Sequence, residues 1–248
     1  MTTEIKALSG IRYHAIDGIG TITLARPEVS NAIDIPTALS LEQSARHAIA
    51  DPDVRVIVIN AEGPRFCAGG DVAAMAAAVD KPAAGRELAE RLDAALLALD
   101  AAEKPVIAAV RGAVAGAGLG VALACDLVVA ATDAKFLAAY TSIGITPDCG
   151  VSWLLPRAVG QQRALELVLT RRKLTAEEAR SWGLVTAVVD DSDLDAEVGA
   201  LATQLAALSP FATGQARRLI RSSWDVTRKE ATLDEVRTVT EAVSRALG

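Results

Sequence analysis

Apolar and polar residues alternate along the first part of the chain. The alternation over residues 11–24, interrupted by a glycine-containing turn, predicts an antiparallel hairpin. Asp34 followed by Pro36 is typical of the start of a helix. The apolar run at 54–60 then predicts a buried strand. The order strand, strand, helix, strand indicates a mixed α/β fold.

Strand and helix patterns keep alternating to about residue 190. A helical pattern over 72–101 is broken near Lys81 and Pro82, and Thr175 opens another helix with a capping box. Further strands are predicted at 105–110, 127–131, 135–137 and 185–190, and a short buried helix at 119–125. The pattern predicts an α/β core over residues 1–193 and a helical region over 194–248. At roughly 55 residues this region is too short to bury a core of its own, so we expect it to pack on the core or on another subunit.

Composition excludes several classes of partner. The 248 residues carry 25 Lys and Arg against 31 Asp and Glu, a net charge of −6 without blocks of like charge, which argues against nucleic-acid binding. The longest uncharged stretch, 112–125, is shorter than the roughly 20 residues that span a bilayer, so we expect no membrane association. The first ten residues lack the apolar segment of a secretory signal, which predicts a cytoplasmic protein.

Cysteine and histidine are too few for most metal or triad chemistry. Cys67, Cys125 and Cys149 form no metal-binding or disulfide spacing, and the odd number suits a reducing compartment. The two histidines, His14 and His47, lie in a strand pattern and a helix pattern. We therefore expect no metal site, and chemistry carried by carboxylates, hydroxyls or backbone amides.

Two glycine-rich loops each follow a strand and lead into a helix. They span 66–71 and 112–118. Small residues let a ligand approach the backbone, and the free amides at a helix start favour negative charge, so together the loops could form an oxyanion hole. The alternative is that each is a packing solution for a strand-to-helix turn. Neither loop has the residues of a phosphate-binding or dinucleotide-binding motif.

Asp148 stands out among the acidic residues. Pro147, Cys149 and Gly150 surround it, and an apolar helical pattern follows. This setting could desolvate the carboxylate and make it a working base, or Asp148 could simply cap the helix. Two other aspartates have simpler interpretations: Asp71 as a helix cap, and Asp126 as a structural acid.

Five ordered segments resemble the crotonase (enoyl-CoA hydratase/isomerase) superfamily. They are LARPEVSNAID, FCAGGDV, KPVIAAVRGAVAGAGLGVALACD, SIGITPDCG and LTAEEARSWGLV. The resemblance implies a spiral of ββα turns with a C-terminal helical region that forms trimers or dimers of trimers. It also implies an acyl-CoA thioester substrate, with coenzyme A belonging to the substrate and no separate cofactor.

The resemblance also assigns roles by position. The amides of Gly70 and Ala117 would hold the thioester oxygen, and Tyr140 would shape the acyl pocket. Two such donors can each lower the barrier to enolate formation by roughly 3–4 kcal/mol. The coenzyme A moiety would lie along Arg26, Ala68 and Val72. Arg26 could equally be a solvated surface charge.

Departures from the family pattern bear on the reaction. Gly120 and Tyr140 stand where typical hydratases carry two glutamates, and neither replaces a carboxylate that handles water. Asp148 stands where several isomerases carry their acid, and the surrounding run is similar to that of phenylacetyl-CoA ring-epoxide isomerases. We therefore expect an enoyl-CoA isomerase with Asp148 as its single acid and base.

Three alternatives stay open. One is a hydratase that uses non-standard groups, and another is a non-catalytic acyl-CoA-binding member. The third is a dehalogenase, in which an aspartate at this place attacks an aromatic ring. Dehalogenases pair it with a tryptophan where this chain has Tyr140, and with a histidine that residues 86–101 lack.

Overall fold

The computed structural model describes residues 3–4 and 9–247, which form ten strands and ten α-helices. The strands are β1 (Thr3–Glu4), β2 (Ile11–Ile16), β3 (Ile19–Leu24), β4 (Val56–Ala61), β5 (Val106–Val110), β6 (Ala113–Ala115), β7 (Leu127–Ala131), β8 (Lys135–Leu137), β9 (Leu174–Thr175) and β10 (Ala187–Val189). The helices are α1 (Ile35–Ala50), α2 (Val72–Ala77), α3 (Lys81–Asp100), α4 (Ala117–Ala124), α5 (Val151–Val159), α6 (Gln161–Thr170), α7 (Ala176–Trp182), α8 (Leu194–Ala206), α9 (Pro210–Ser222) and α10 (Arg228–Leu247).

Seven strands form the main sheet, in the order β1-β2-β3-β4-β5-β7-β10. The predicted hairpin is β2 and β3, which pair antiparallel, whereas β3, β4, β5, β7 and β10 pair in parallel. Strands β6, β8 and β9 form a second, smaller sheet. The carboxyl ends of parallel strands share one edge, so the loops after β4 and β5 come out side by side.

Both faces of the main sheet are covered by helices. On one face, the central strands pack into a large apolar cluster with α1, α3 and α4. On the other face, Leu194, Val198 and Ala202 of α8 pack against Val58 and Ile107. Helix α8 therefore covers this face of the main sheet, and α9 and α10 follow it in the chain. The boundary at 193/194 stays a prediction.

Local sequence signals explain the helix starts. Asp34 caps α1 by accepting a hydrogen bond from the Thr37 amide, as predicted. The predicted break near Lys81 is confirmed, because Asp80 caps a new helix there, with Pro82 in its first turn. Helix α4 begins two residues earlier than predicted. Among the described residues, no helix combines the length and apolarity needed to cross a membrane.

Asp126 is the structural acid that the sequence predicted. Its carboxylate binds the guanidinium groups of Arg217 and Arg221, at 2.7 and 2.8 Å. It also accepts a hydrogen bond from the Val106 amide. Because Arg217 also donates to main-chain carbonyls at the end of α3, this cluster fastens α9 to the core.

Candidate active site

The two glycine-rich loops lie directly against each other. The Cys67 amide donates to the Ala113 carbonyl at 3.0 Å, and the Ala115 amide donates to the Cys67 carbonyl at 2.9 Å. Gly69 has a φ of 114°, and a Cβ atom added there would lie 3.3 Å from the Ala115 oxygen and 3.7 Å from the Ala117 nitrogen. The close approach of the loops therefore needs a glycine at this position.

The residues on either side of Gly70 form backbone hydrogen bonds with Ile33. The Ile33 amide donates to the Gly69 carbonyl, and the Asp71 amide donates to the Ile33 carbonyl, both at 2.8 Å. These bonds use the residues on either side of Gly70, so its own N–H faces away from Ile33. Among the described residues, the Gly70 N–H has no acceptor.

Ala117 presents a second free amide from the other loop. It is the first residue of α4, where an N–H group has no partner inside the helix. The preceding amide, that of Gly116, is taken up by the Leu137 carbonyl at 3.2 Å. Within the part of the chain described, the Ala117 N–H has no acceptor either.

Gly70 and Ala117 line the same cavity, whose volume is about 270 Å³. Ala68 and Val72, predicted to contact the substrate, also line it, as do Tyr140 and Asp148. Its remaining wall is mainly apolar and includes Met75, Leu88, Leu92, Ile143 and Ile145. Two residues with free amides and one with a carboxylate thus line a mainly apolar space, which we call the acyl cavity.

Asp148 is not a helix cap. Helix α5 begins at Val151, its capping residue is Gly150, and no side chain caps it. Only the Asp148 main-chain carbonyl contributes, by accepting a hydrogen bond from the Val151 amide at 3.0 Å. The carboxylate atom Oδ1 is buried and has no hydrogen-bond partner among the described residues. The capping alternative is therefore wrong.

The neighbours of Asp148 are neutral groups. Tyr140 is 4% exposed, and its hydroxyl has no hydrogen-bond partner in the described chain. Burial, and then the charge of Asp148, raise the pKa of Tyr140. The same two causes raise the pKa of the Cys149 thiol. Both groups therefore stay protonated.

Position 120, where typical hydratases carry a glutamate, has no room for a side chain. A Cβ atom added at Gly120 would lie 2.9 Å from the Cys149 carbonyl oxygen and 3.0 Å from the Cys149 Cβ. Distances this short between non-bonded heavy atoms are repulsive. Position 120 therefore cannot carry a glutamate unless residue 149 moves.

Arg26 lies beside the site and is occupied by other groups. Its guanidinium lies 3.0 Å from Asp34 and 3.3 Å from Asp71, and it donates to the Ala32 carbonyl at 2.7 Å. Asp71 also caps α2 through the Ala74 amide, as predicted. Arg26 is not part of the acyl cavity, and its contact with coenzyme A stays a prediction. These ion pairs were not predictable from the sequence, in which their only signal is the two capping aspartates.

The histidines lie elsewhere. His47 packs edge-on against Tyr13, and His14 lies on the opposite side of the sheet, in a groove beside α8. In the described ranges, 3–4 and 9–247, there is no group of three His, Cys, Asp or Glu residues placed to hold a metal ion. Cys67, Cys125 and Cys149 are buried free thiols.

A comparison with known proteins identifies the family of this chain. A family model described as enoyl-CoA hydratase/isomerase matches residues 14–246. The chain belongs to this family. Its members include enzymes that isomerise and enzymes that hydrate enoyl thioesters, so this chain is an enzyme of the enoyl-CoA hydratase/isomerase family with the predicted crotonase fold.

Several relatives can be aligned with most of this chain. The 1,2-epoxyphenylacetyl-CoA isomerase of Escherichia coli is 36% identical over 86% of this chain and 82% of its own. A 4-chlorobenzoyl coenzyme A dehalogenase of an Arthrobacter species is 38% identical over 92% of this chain and 83% of its own. The crystal structure of an enoyl-CoA hydratase from Polaromonas matches with a TM-score of 0.90 and 32% identity, over 94% of this chain and 91% of that one. Relatives whose names give three different activities thus match most of this chain.

Proposed function

We propose that this enzyme shifts a double bond within an acyl-CoA thioester through an enolate. The observation that carries the proposal is the placement of one unpartnered carboxylate, that of Asp148, in the same cavity as two free amides. Asp148 is the only carboxylate among the described residues that line this cavity.

The amides of Gly70 and Ala117 would bind the thioester oxygen. When a proton leaves the adjacent carbon, the electron pair moves onto this oxygen, and two preorganised donors stabilise the charge. The dipole of α4, whose first residue is Ala117, has the favourable sign for an anion. Both amides face an apolar space, where such interactions are stronger than in water.

Asp148 would move the proton. Its carboxylate takes a proton from the α-carbon of a 3-enoyl thioester, and the electron pair delocalises over the former double bond and the thioester. The same group then returns the proton to the γ-carbon, which gives a 2-enoyl thioester. The step balances without an oxidant, a reductant or water. Tyr140 would shape the pocket as a neutral phenol.

Hydration fits the site less well. It needs groups that position and deprotonate a water molecule, and typically these are a pair of carboxylates. Here position 120 is closed by Cys149, and position 140 carries a phenol. The cavity therefore offers one carboxylate where hydration calls for two.

The proposal also covers assembly and location. We propose a homotrimer or a dimer of trimers that works in the cytoplasm. Its support is the resemblance, together with an apolar stripe on α10. The stripe consists of Leu233, Val236, Val239, Val243 and Leu247, each at least half exposed.

Replacing Asp148 tests the mechanism. Asp148→Asn keeps the side-chain size and removes the base, so turnover of a 3-enoyl-CoA should fall by at least about a thousandfold while acyl-CoA affinity stays nearly unchanged. Asp93→Asn, on α3 outside the acyl cavity, is the matched control and should keep full activity. Activity of Asp148→Asn above about a tenth of wild type would remove Asp148 from the mechanism.

Two further outcomes would decide against isomerisation. Loss of the absorbance of crotonyl-CoA would show hydration, the activity of the Polaromonas relative. Tight binding of acyl-CoA without turnover of any enoyl-CoA would show a non-catalytic binding protein. The geometry favours neither. The cavity offers one carboxylate where hydration calls for two, and a binding protein would bury the unpartnered atom of that carboxylate without using it.

A further inference from the structure

A second cavity lies behind the acyl cavity. Its volume is about 310 Å³, and Leu96, Leu97, Trp153 and Leu154 give it an apolar wall, with acidic residues among its other lining groups. Among the described residues, Cys149 is the one that lines both cavities. We call this space the rear cavity. It plays no part in the proposed mechanism.

Helix α3 runs along both spaces. Leu88 and Leu92 face the acyl cavity, whereas Leu96, one turn further, faces the rear cavity. The distance along the helix from Leu88 to Leu96 is about 12 Å, at about 1.5 Å per residue. Helix α3 thus continues from the acyl cavity to the rear cavity, and Cys149 lines both.

Close packing and the backbone conformation fix the position of Cys149. It is 5% exposed, and its main chain and Cβ pack against Gly120 of α4. Its φ of 52° is a left-handed conformation that residues other than glycine adopt at a cost, and the next residue, Gly150, has a φ of 71°. These two residues turn the chain from Asp148 into α5. Cys149, which lines both cavities, thus belongs to the turn that positions the Asp148 carboxylate.

We propose that Cys149 is the end wall of the acyl cavity and limits the size of the acyl group. This inference rests on the proposed function, since it assumes that an acyl-CoA occupies the acyl cavity. A space of about 270 Å³ holds about nine non-hydrogen atoms, if each takes the ~30 Å³ of a water molecule. The substrate class is therefore acyl thioesters with a short chain or a single ring.

Removing the Cys149 side chain should connect the two cavities. Glycine suits the positive φ of position 149, so Cys149→Gly keeps the turn while it deletes the wall. Cys149→Ala, which keeps only the Cβ, is a second variant in case the glycine variant folds poorly. Cys125→Ala is the matched control, because Cys125 is also buried and free but lines neither cavity.

The experiment measures binding of saturated acyl-CoAs to the full-length protein by calorimetry. The probes are butanoyl-, hexanoyl-, octanoyl-, dodecanoyl- and hexadecanoyl-CoA, which bind without reacting. For wild type and Cys125→Ala, affinity should peak at or below octanoyl-CoA. In Cys149→Gly, the affinity for dodecanoyl-CoA relative to hexanoyl-CoA should rise by at least about tenfold, since each well-placed methylene is worth about that factor. Cys149→Ala should show a smaller rise in the same direction.

The outcomes separate the inference from the proposed function. If wild type binds short acyl-CoAs and both Cys149 variants keep its chain-length profile, the end wall is refuted and the proposed function stands. Strong binding of hexadecanoyl-CoA by wild type would refute it equally. If no acyl-CoA binds to wild type, the proposed function fails, and the inference that rests on it fails too.

Discussion

At the scale of single residues, the site depends on side chains that are absent. Gly69 lets the two loops touch, and Gly120 leaves room for the turn at Cys149. The residues alone predicted two glycine-rich loops and the candidate base Asp148, because these motifs are local, and the family resemblance then singled out Gly70 and Ala117. It could not decide whether Asp148 caps a helix, since that depends on where α5 begins and on the left-handed turn before it.

The packing at Gly120 can be tested with a methyl group. Gly120→Ala places a Cβ within 3.0 Å of Cys149, so it should lower the free energy of unfolding by about 1–3 kcal/mol. Gly199→Ala is the control, because nothing lies within 4 Å of its added Cβ on α8. That control should instead raise stability by about 0.5–1 kcal/mol. Urea denaturation measures both values, and equal stability of the two variants would contradict the packing.

At the scale of elements, helix caps and apolar strand runs were predictable from the sequence because their signals are local. The capping box at Thr175 is present, and the Glu178 carboxylate accepts a hydrogen bond from the Thr175 amide at 2.9 Å. The order of strands in the sheet was not predictable, because parallel pairing joins segments far apart in the chain. Nor could the sequence reveal the buried contacts of Arg217 with the end of α3.

The capping box makes stability depend on pH. Hydrogen bonds from the Thr175 amide, and then from Arg172, lower the pKa of Glu178 to about 2. Because the folded pKa lies below the unfolded value, this contribution is complete above about pH 5 and is lost as the pH falls towards 2. Glu178→Gln should therefore flatten the loss of stability between about pH 5 and 2, measured by urea denaturation. Glu177→Gln, the adjacent control, should keep the wild-type slope, and an unchanged slope in Glu178→Gln would contradict the account.

Arg217 should be decisive for the attachment of α9. Arg217→Met leaves carbonyls at Leu99 and Asp100 without their donor, so the free energy of unfolding should fall by about 3 kcal/mol. Hydrogen exchange in α9 should also speed up. Arg237→Ala removes an exposed ion pair with Asp234 and should cost less than about 1 kcal/mol. A similar small loss in Arg217→Met would show that α9 is held by other contacts.

At the scale of the whole molecule, α10 and the segment before it leave large apolar side chains exposed. The apolar stripe of α10 and the exposed Trp224 point away from the described core. The helical pattern after residue 193 was predicted from the sequence, and so was its need for a packing partner. The local sequence pattern does not indicate which surface would cover the stripe.

Assembly can be measured directly. We expect a trimer or hexamer by sedimentation equilibrium, and Val236→Asp should shift the mass towards the monomer, because a buried, unpaired charge destabilises an apolar interface. Lys229→Asp, a charge change at the start of the same helix but outside the stripe, is the control and should keep the wild-type mass. A monomeric wild-type protein would contradict the proposed assembly and leave the proposed chemistry untouched.

The central claim is that one carboxylate carries a proton along a thioester whose oxygen is held by two amides. A 3-hexenoyl-CoA carrying deuterium on its α-carbon tests this claim most directly. We expect wild type to give 2-hexenoyl-CoA with part of the deuterium at the γ-carbon, detected by NMR, and Asp148→Asn to give none. Recovery of the starting ester with all its deuterium on the α-carbon, or a hydroxyacyl product, would contradict the account.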